Sequence, residues 1–164
     1  MTSAGKEAIK NILGQIPFAA ELYYLVRQNG RPLQTRFVLK QLQQHLPELA
    51  AQAAELRKTA PAGKKIFIFA TLHYWIEHAA ILGVALAAQG HDVTFGFLPY
   101  SDWQKEINKF DLKRQNVYAR KVLSPAESVM KVVSLLNCLL YTSDAADDLL
   151  CVDLGGRRII KKNN

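Results

Sequence analysis

Lys64-Lys65-Ile66-Phe67-Ile68-Phe69-Ala70 opens the stretch on which the fold turns. Its continuous apolar run of β-formers, without polar alternation, reads as a strand buried on both faces of a parallel sheet. Thr71-Leu72-His73-Tyr74-Trp75 follows, and Ile76 to Ala88, rich in Ala, Leu and Ile, reads as a helix. Gln89-Gly90 is its stop, with glycine at the left-handed position. Val93-Thr94-Phe95-Gly96-Phe97-Leu98 is a second strand, ended by Pro99. Strand, helix and strand make a βαβ unit, which demands parallel pairing and predicts a right-handed crossover.

Downstream, helices are expected over 102–110 and 125–136. The second is opened by Ser124-Pro125-Ala126-Glu127, with Ser as cap and Pro at the first position. A third strand is expected within Asn116 to Leu123, around Val117-Tyr118-Ala119. Upstream, residues 6 to 58 read as helical. Ala8, Ile9, Ile12 and Leu13 recur at helical spacing before Gly14 and Pro17 punctuate the run. Phe18, Leu22, Leu25 and Val26 form a second stripe, closed by Asn29-Gly30 and Arg31-Pro32. Phe37, Val38, Leu42, Leu46, Leu49, Ala53 and Leu56 predict a third helix that Pro47 kinks or splits. Thr59-Ala60-Pro61-Ala62-Gly63 is a linker by composition. The expected class is α/β: amino-terminal helices over 1–60, then a partial Rossmann-like parallel-sheet unit over 61–137.

The last 27 residues read as having a different origin. Cys138-Leu139-Leu140-Tyr141-Thr142-Ser143, written back as tgt-ctc-tta-tac-aca-tct, resembles the end of a transposon-based sequencing adapter. Asp144-Ala145-Ala146-Asp147-Asp148 continues it in frame. After a barcode-like gap, Cys151 to Ile160 fits the adapter's remainder. Residues 138–164 are therefore excluded from fold reasoning and expected to have no packed place. The evolved chain is expected to break off near Asn137. It then contains no cysteine, as suits a reducing, cytoplasmic compartment.

The chain has 164 residues, 49% of them hydrophobic, and a formal net charge of +7. That composition excludes collagen-like, mucin-like and disordered classes. No apolar run is long enough for a transmembrane helix, and the start lacks the apolar core of a secretory signal. The basic balance suits an anionic partner, or nothing specific where a further carboxyl-terminal part carries the balancing acids, and the second reading is preferred. Lys105, Lys109, Lys113, Arg114, Arg120 and Lys121 lack regular aromatic interleaving, so a solvated basic face is expected rather than a nucleic-acid site. The same patch suits peripheral contact with anionic lipid at the inner face of a membrane.

Ala85-Leu86-Ala87-Ala88-Gln89-Gly90-His91-Asp92-Val93-Thr94-Phe95, with the strand before it, resembles the opening of the amino-terminal domain of GT-B glycosyltransferases. The nearest flavour is the bacterial surface-polysaccharide group, in which a Trp and a His follow the first strand. Counting back from Gly90 to that family's helix-start His lands on Trp75, between His73 and His78. The Gly-rich loop of many members is replaced here by Leu72-His73-Tyr74-Trp75. The resemblance implies an acceptor-side domain that moves a sugar from a nucleotide-sugar donor to a surface glycan or glycolipid. The donor would be gripped by a carboxyl-terminal domain, and no cofactor is implied.

Ligands bind beyond the carboxyl ends of parallel strands, which places Thr71 to His78 and Pro99 to Trp103 at the site. His78 and His73 are the candidate bases, because an attacking sugar hydroxyl must lose a proton near neutral pH. Glu77 or Asp102 is expected to orient the imidazole. Thr71, Tyr74, Trp75, Tyr100 and Trp103 are expected to contact substrate, the aromatic faces by stacking on a sugar ring. His91, at the far end of its strand, is expected to be structural. A metal is not expected, since His73 and His78 are five apart rather than one helical turn. No Gly-x-Gly-x-x-Gly follows the first strand, and no Ser has an elbow context. The alternative reading is a non-catalytic Rossmann-like binding module.

Overall fold

The computed structural model describes residues 3–28, 37–102 and 107–136. Elements run α1 (Ser3–Gln15), α2 (Ala19–Tyr23) with a π-helical turn (Tyr24–Gln28), α3 (Lys40–Arg57), β1 (Lys65–Thr71), α4 (His73–Ala88) and β2 (Asp92–Leu98). Then come α5 (Lys109–Leu123), a 3-10 turn (Ser124–Ser128) and β3 (Lys131–Ser134). The class is α/β, with a three-stranded parallel sheet in the order β1-β2-β3. The tail 138–164, Asn137, Trp103 and Lys105 lie outside the described residues.

The βαβ unit forms as its sequence predicts. Ile66 registers with Val93, Ile68 with Phe95 and Ala70 with Phe97. These residues share one face of the sheet, since side chains alternate along each strand. Val93, Phe95, Phe97 and Ala70 are buried there in one core with Ile76, Ala80, Val84 and Ala87 of α4. Tyr118, Ala119, Val122 and Leu123 of α5 join the same cluster, as do Leu42, Leu46 and Ala53 of α3. Both crossover helices thus cover the same face.

The opposite face corrects an expectation. β1 is not buried on both sides: Phe67 and Phe69 are 63% and 52% exposed. The run of five apolar residues has a covered face and a bare one, because no described helix lies over the second. The Phe67 ring rests across Gly96 of the neighbouring strand, where a Cβ would stand 2.9 Å from the ring.

Three further expectations fail downstream. Asn116 to Leu123 is not a strand but the last half of α5. Leu112, Gln115, Ala119 and Val122 recur at helical spacing, and that period overrides the local β preference of Val117-Tyr118. The helix expected over 102–110 starts at Lys109, capped by Asn108, whose side chain accepts from the Phe110 N–H at 2.9 Å. The helix expected over 125–136 is a five-residue 3-10 turn followed by β3, whose Val132 and Val133 pair along β2. Ser124 does not cap it; its hydroxyl donates back to the Lys121 carbonyl. Pro47, expected to kink or split the third helix, lies inside an uninterrupted α3.

α4 ends in a hydrogen-bonded Gly reversal. His91 N–H donates to the Leu86 carbonyl at 3.2 Å and Gly90 N–H to the Ala87 carbonyl at 3.0 Å, with Gly90 at φ 90°. Arg57 ties α3 down by donating to the Val129 carbonyl. The Tyr118 hydroxyl accepts from the Leu39 N–H at 3.2 Å and donates to Gln43. Burial pushes the Tyr118 phenol above its ordinary value of 10.0, opposed by the Leu39 N–H. A folded value above the unfolded one means that stability is full below about pH 10 and falls as pH rises through the folded value. Tyr118→Phe is expected to flatten this alkaline fall while lowering stability at neutral pH by about 1–3 kcal/mol, because the Leu39 N–H loses its acceptor. Urea midpoints measured across alkaline pH check both effects.

Candidate active site at the carboxyl end of β1

β1 delivers the chain at Thr71 and α4 begins two residues later, so the turn must be tight. Leu72 makes it, at φ 66° and ψ 142°, a conformation that costs a residue with a Cβ about 1–3 kcal/mol. Its carbonyl accepts from the Ile76 N–H at 2.9 Å while its side chain is buried. Elsewhere in a fold, glycine is worse than alanine by about 0.5–1 kcal/mol. At this position relief of strain reverses the order, and Leu72→Gly is expected to cost no more than Leu72→Ala. Denaturation midpoints of the two variants decide it; an alanine variant more stable by about 1 kcal/mol removes the strain.

The turn swings the first turn of α4 outward from the strand end. Phe69, Ala70 and Thr71 of β1 and Trp75, His78, Ala79 and Leu82 of α4 line an open crevice of about 350 Å³. Among the described residues β1 pairs only with β2, so the crevice opens along its unpaired edge. Trp75 is 58% exposed, and its ring lies 6.5 Å from the His78 ring and 5.6 Å from the Tyr74 ring.

The His78 Nδ1 lies 2.6 Å from the Tyr74 carbonyl oxygen, one turn earlier. A carbonyl only accepts, so Nδ1 carries the hydrogen. In the neutral ring the Nε2 lone pair is then the proton acceptor, on an exposed side chain facing the crevice. His73 is half-buried, edge-on to Tyr74 at 5.2 Å, and its Nδ1 is buried without a hydrogen-bond partner.

Glu77 corrects an expectation: its Oε1 accepts from the Gln41 N–H at 3.1 Å, at the start of α3, so the orienting partner of His78 is its own helix. Tyr100 and Asp102 are half-buried on the segment after β2, and the Tyr100 N–H donates to the Leu98 carbonyl. Neither they nor Tyr74 line the crevice with Trp75 and His78. His91 is structural in geometry, its Nδ1 accepting from the Lys64 N–H at 2.9 Å. Phe69 and Leu82 were not among the expected contacts. In the sequence Phe69 reads as core, and Leu82 signals itself only as the residue one turn beyond His78.

Among the described residues no group of three or more His, Cys, Asp or Glu is placed to hold a metal. No described helix is long and apolar enough to cross a membrane. No protein-family profile, curated protein or solved structure matches the chain.

Proposed function

We propose that the chain is the acceptor-side part of a GT-B-like glycosyltransferase acting on a surface glycan or glycolipid at the cytoplasmic side of a membrane. The observation that carries this reading is the His78 imidazole, tautomer fixed, beside the exposed Trp75 at the carboxyl end of the first parallel strand. Strand order supports it. In doubly wound sheets the next strand joins β1 on its far side, and the ligand crevice opens at that reversal.

In the proposed reaction, an acceptor sugar lies with its apolar face on Trp75 and one hydroxyl at His78 Nε2. The hydroxyl oxygen bonds to the anomeric carbon of the donor as the bond to the nucleoside diphosphate breaks. The diphosphate leaves with the electron pair, and the hydroxyl proton passes to Nε2. Donor recognition belongs to a further nucleotide-gripping domain, so the described residues alone bind acceptor without turnover.

The test is expression of the uninterrupted reading frame from the same locus, assayed for nucleoside diphosphate release with glycan and glycolipid acceptors. Release that depends on acceptor and on His78 supports the reading. A frame with no second nucleotide-gripping domain and no turnover favours a non-catalytic binding module instead.

A further inference from the structure

Three hydrogen bonds fasten the chain before β1 to the turn between α4 and β2, and one of them ends on an imidazole. Gly63 N–H donates to the Gly90 carbonyl at 2.9 Å, and Asp92 N–H to the Lys64 carbonyl at 3.0 Å. Between them, the Lys64 N–H donates to His91 Nδ1 at 2.9 Å. The ring is half-buried, and Gly63 packs so close that a Cβ there would collide with Nδ1. A backbone N–H only donates, so Nδ1 offers its lone pair and the hydrogen of the neutral ring sits on Nε2. The next proton has one place to go, which is Nδ1. Taking it up sets a donor against a donor, so the proton and the Lys64 bond exclude each other. Of the three bonds, this alone ends on a group that titrates between about pH 5 and 8.

The charges around the ring do not override that rule. On the linker side stand Lys64 and Lys65, both exposed, and on β2 stands Asp92, exposed and in register with Lys65. The last turn of α4, Ala85 to Ala88, carries no titratable group. At the end of α3, Lys58 is paired with Glu55 at 2.7 Å and Arg57 donates to the Val129 carbonyl. Two ammonium groups oppose a cationic ring and one carboxylate favours it. All three are solvated, where a charge pair is worth little, so the hydrogen-bond geometry decides. Beyond the turn the strand pair runs from Ile66 and Val93 to Ala70 and Phe97 without a titratable side chain, over the hydrophobic core.

We propose that His91 is a pH-sensitive latch on the join between the helical segment and the sheet. With a neutral ring it is closed. In a mildly acidic medium Nδ1 takes up a proton, the Lys64 amide loses its acceptor, and residues 59–64 come away from the turn. The strand pair stays folded, because no side chain in it titrates in that range. Closed, the ring excludes a proton that the open or unfolded chain binds, so closure is full above the imidazole range and is lost as pH falls through it. The latch lies at the amino ends of the strands, away from the crevice at His78, and does not depend on sugar transfer.

Amide hydrogen exchange of the full 164-residue chain is followed between about pH 8 and 5, each rate corrected for the intrinsic pH dependence of exchange. Protection of the Lys64 amide is expected to fall at least about tenfold across that range, at the pH where the His91 ring nitrogens report protonation in the nuclear magnetic resonance spectrum. The Phe95 amide, in the core of β2, is expected to stay protected at the acid end. His91→Asn places an oxygen acceptor near the position of Nδ1 that does not titrate, and is expected to hold Lys64 protected at both ends of the range. His91→Leu is expected to leave Lys64 unprotected at both. A Lys64 amide that stays protected once the ring is protonated overturns the proposal, as does an acid loss that persists in His91→Asn. Loss of protection at Phe95 to the same level means that acid unfolds the whole chain, which also overturns a local latch. Ring protonation and Lys64 exchange are both read in the unaltered chain, so the test stands even if a substitution prevents folding. No transfer assay enters it, which keeps its failure separate from failure of the glycosyltransferase reading.

Discussion

Gly90→Ala is expected to destabilise the chain by about 3 kcal/mol or more, a large share of the total stability of an ordinary domain. The glycine sits at φ 90°, outside the region open to residues with a Cβ. An added Cβ would also collide with the Pro61 carbonyl oxygen. That oxygen cannot retreat cheaply, because the linker is stitched to the same turn. Gly63 N–H donates to the Gly90 carbonyl at 2.9 Å, Asp92 N–H to the Lys64 carbonyl at 3.0 Å, and Lys64 N–H to His91. Relieving the clash therefore loosens the start of β1 and the start of β2 together. Chemical denaturation followed by circular dichroism measures the loss. Gln89→Ala, an exposed change beside it, is expected to stay within about 0.5 kcal/mol.

Under the proposed mechanism, His78→Ala in the full transferase is expected to lower turnover by about 10²- to 10⁴-fold, the ordinary range for loss of a general base. Acceptor binding is expected to be largely kept, since in the proposed reaction the stacking face is Trp75, which the substitution leaves in place. His73→Ala is expected to act less on chemistry and more on stability, because the His73 ring is half-buried against Tyr74 at the strained turn. Steady-state kinetics on both variants separates the roles. If both retain turnover within a few-fold of the parent, the base lies elsewhere and the proposed mechanism fails.

The βαβ unit was legible because its signals agree. An apolar run, a small-residue helix, Gln89-Gly90 and a second apolar run each specify the same local structure as the fold requires. The exposure of Phe67 and Phe69 was not legible, since a run apolar on both parities is the same string whether one or two layers cover it. β3 escaped because four residues, Lys131-Val132-Val133-Ser134, are too short to carry a period. Its pairing is set by the open edge of β2, not by its own composition. At the site, the sequence located His73, Trp75 and His78 correctly at the strand end. It missed the engagement of Glu77 by Gln41, a contact across 36 positions. It also missed the backbone of Leu72, which no side-chain pattern encodes.

The exposed ring row and unpaired edge of β1 also govern how the chain behaves in bulk. Lys65-Ile66-Phe67-Ile68-Phe69-Ala70-Thr71 combines high β preference with a ladder of backbone donors and acceptors that no other strand pairs among the described residues, the makings of cross-strand assembly. Its gatekeepers are the paired lysines at its start, Lys64 and Lys65, both exposed. When strands stack in register, those ammonium groups fall beside their counterparts and repel. Shelf life in solution is therefore expected to be an electrostatic property: salt that screens the two lysines should shorten it, and acetylation of them should do the same at any ionic strength.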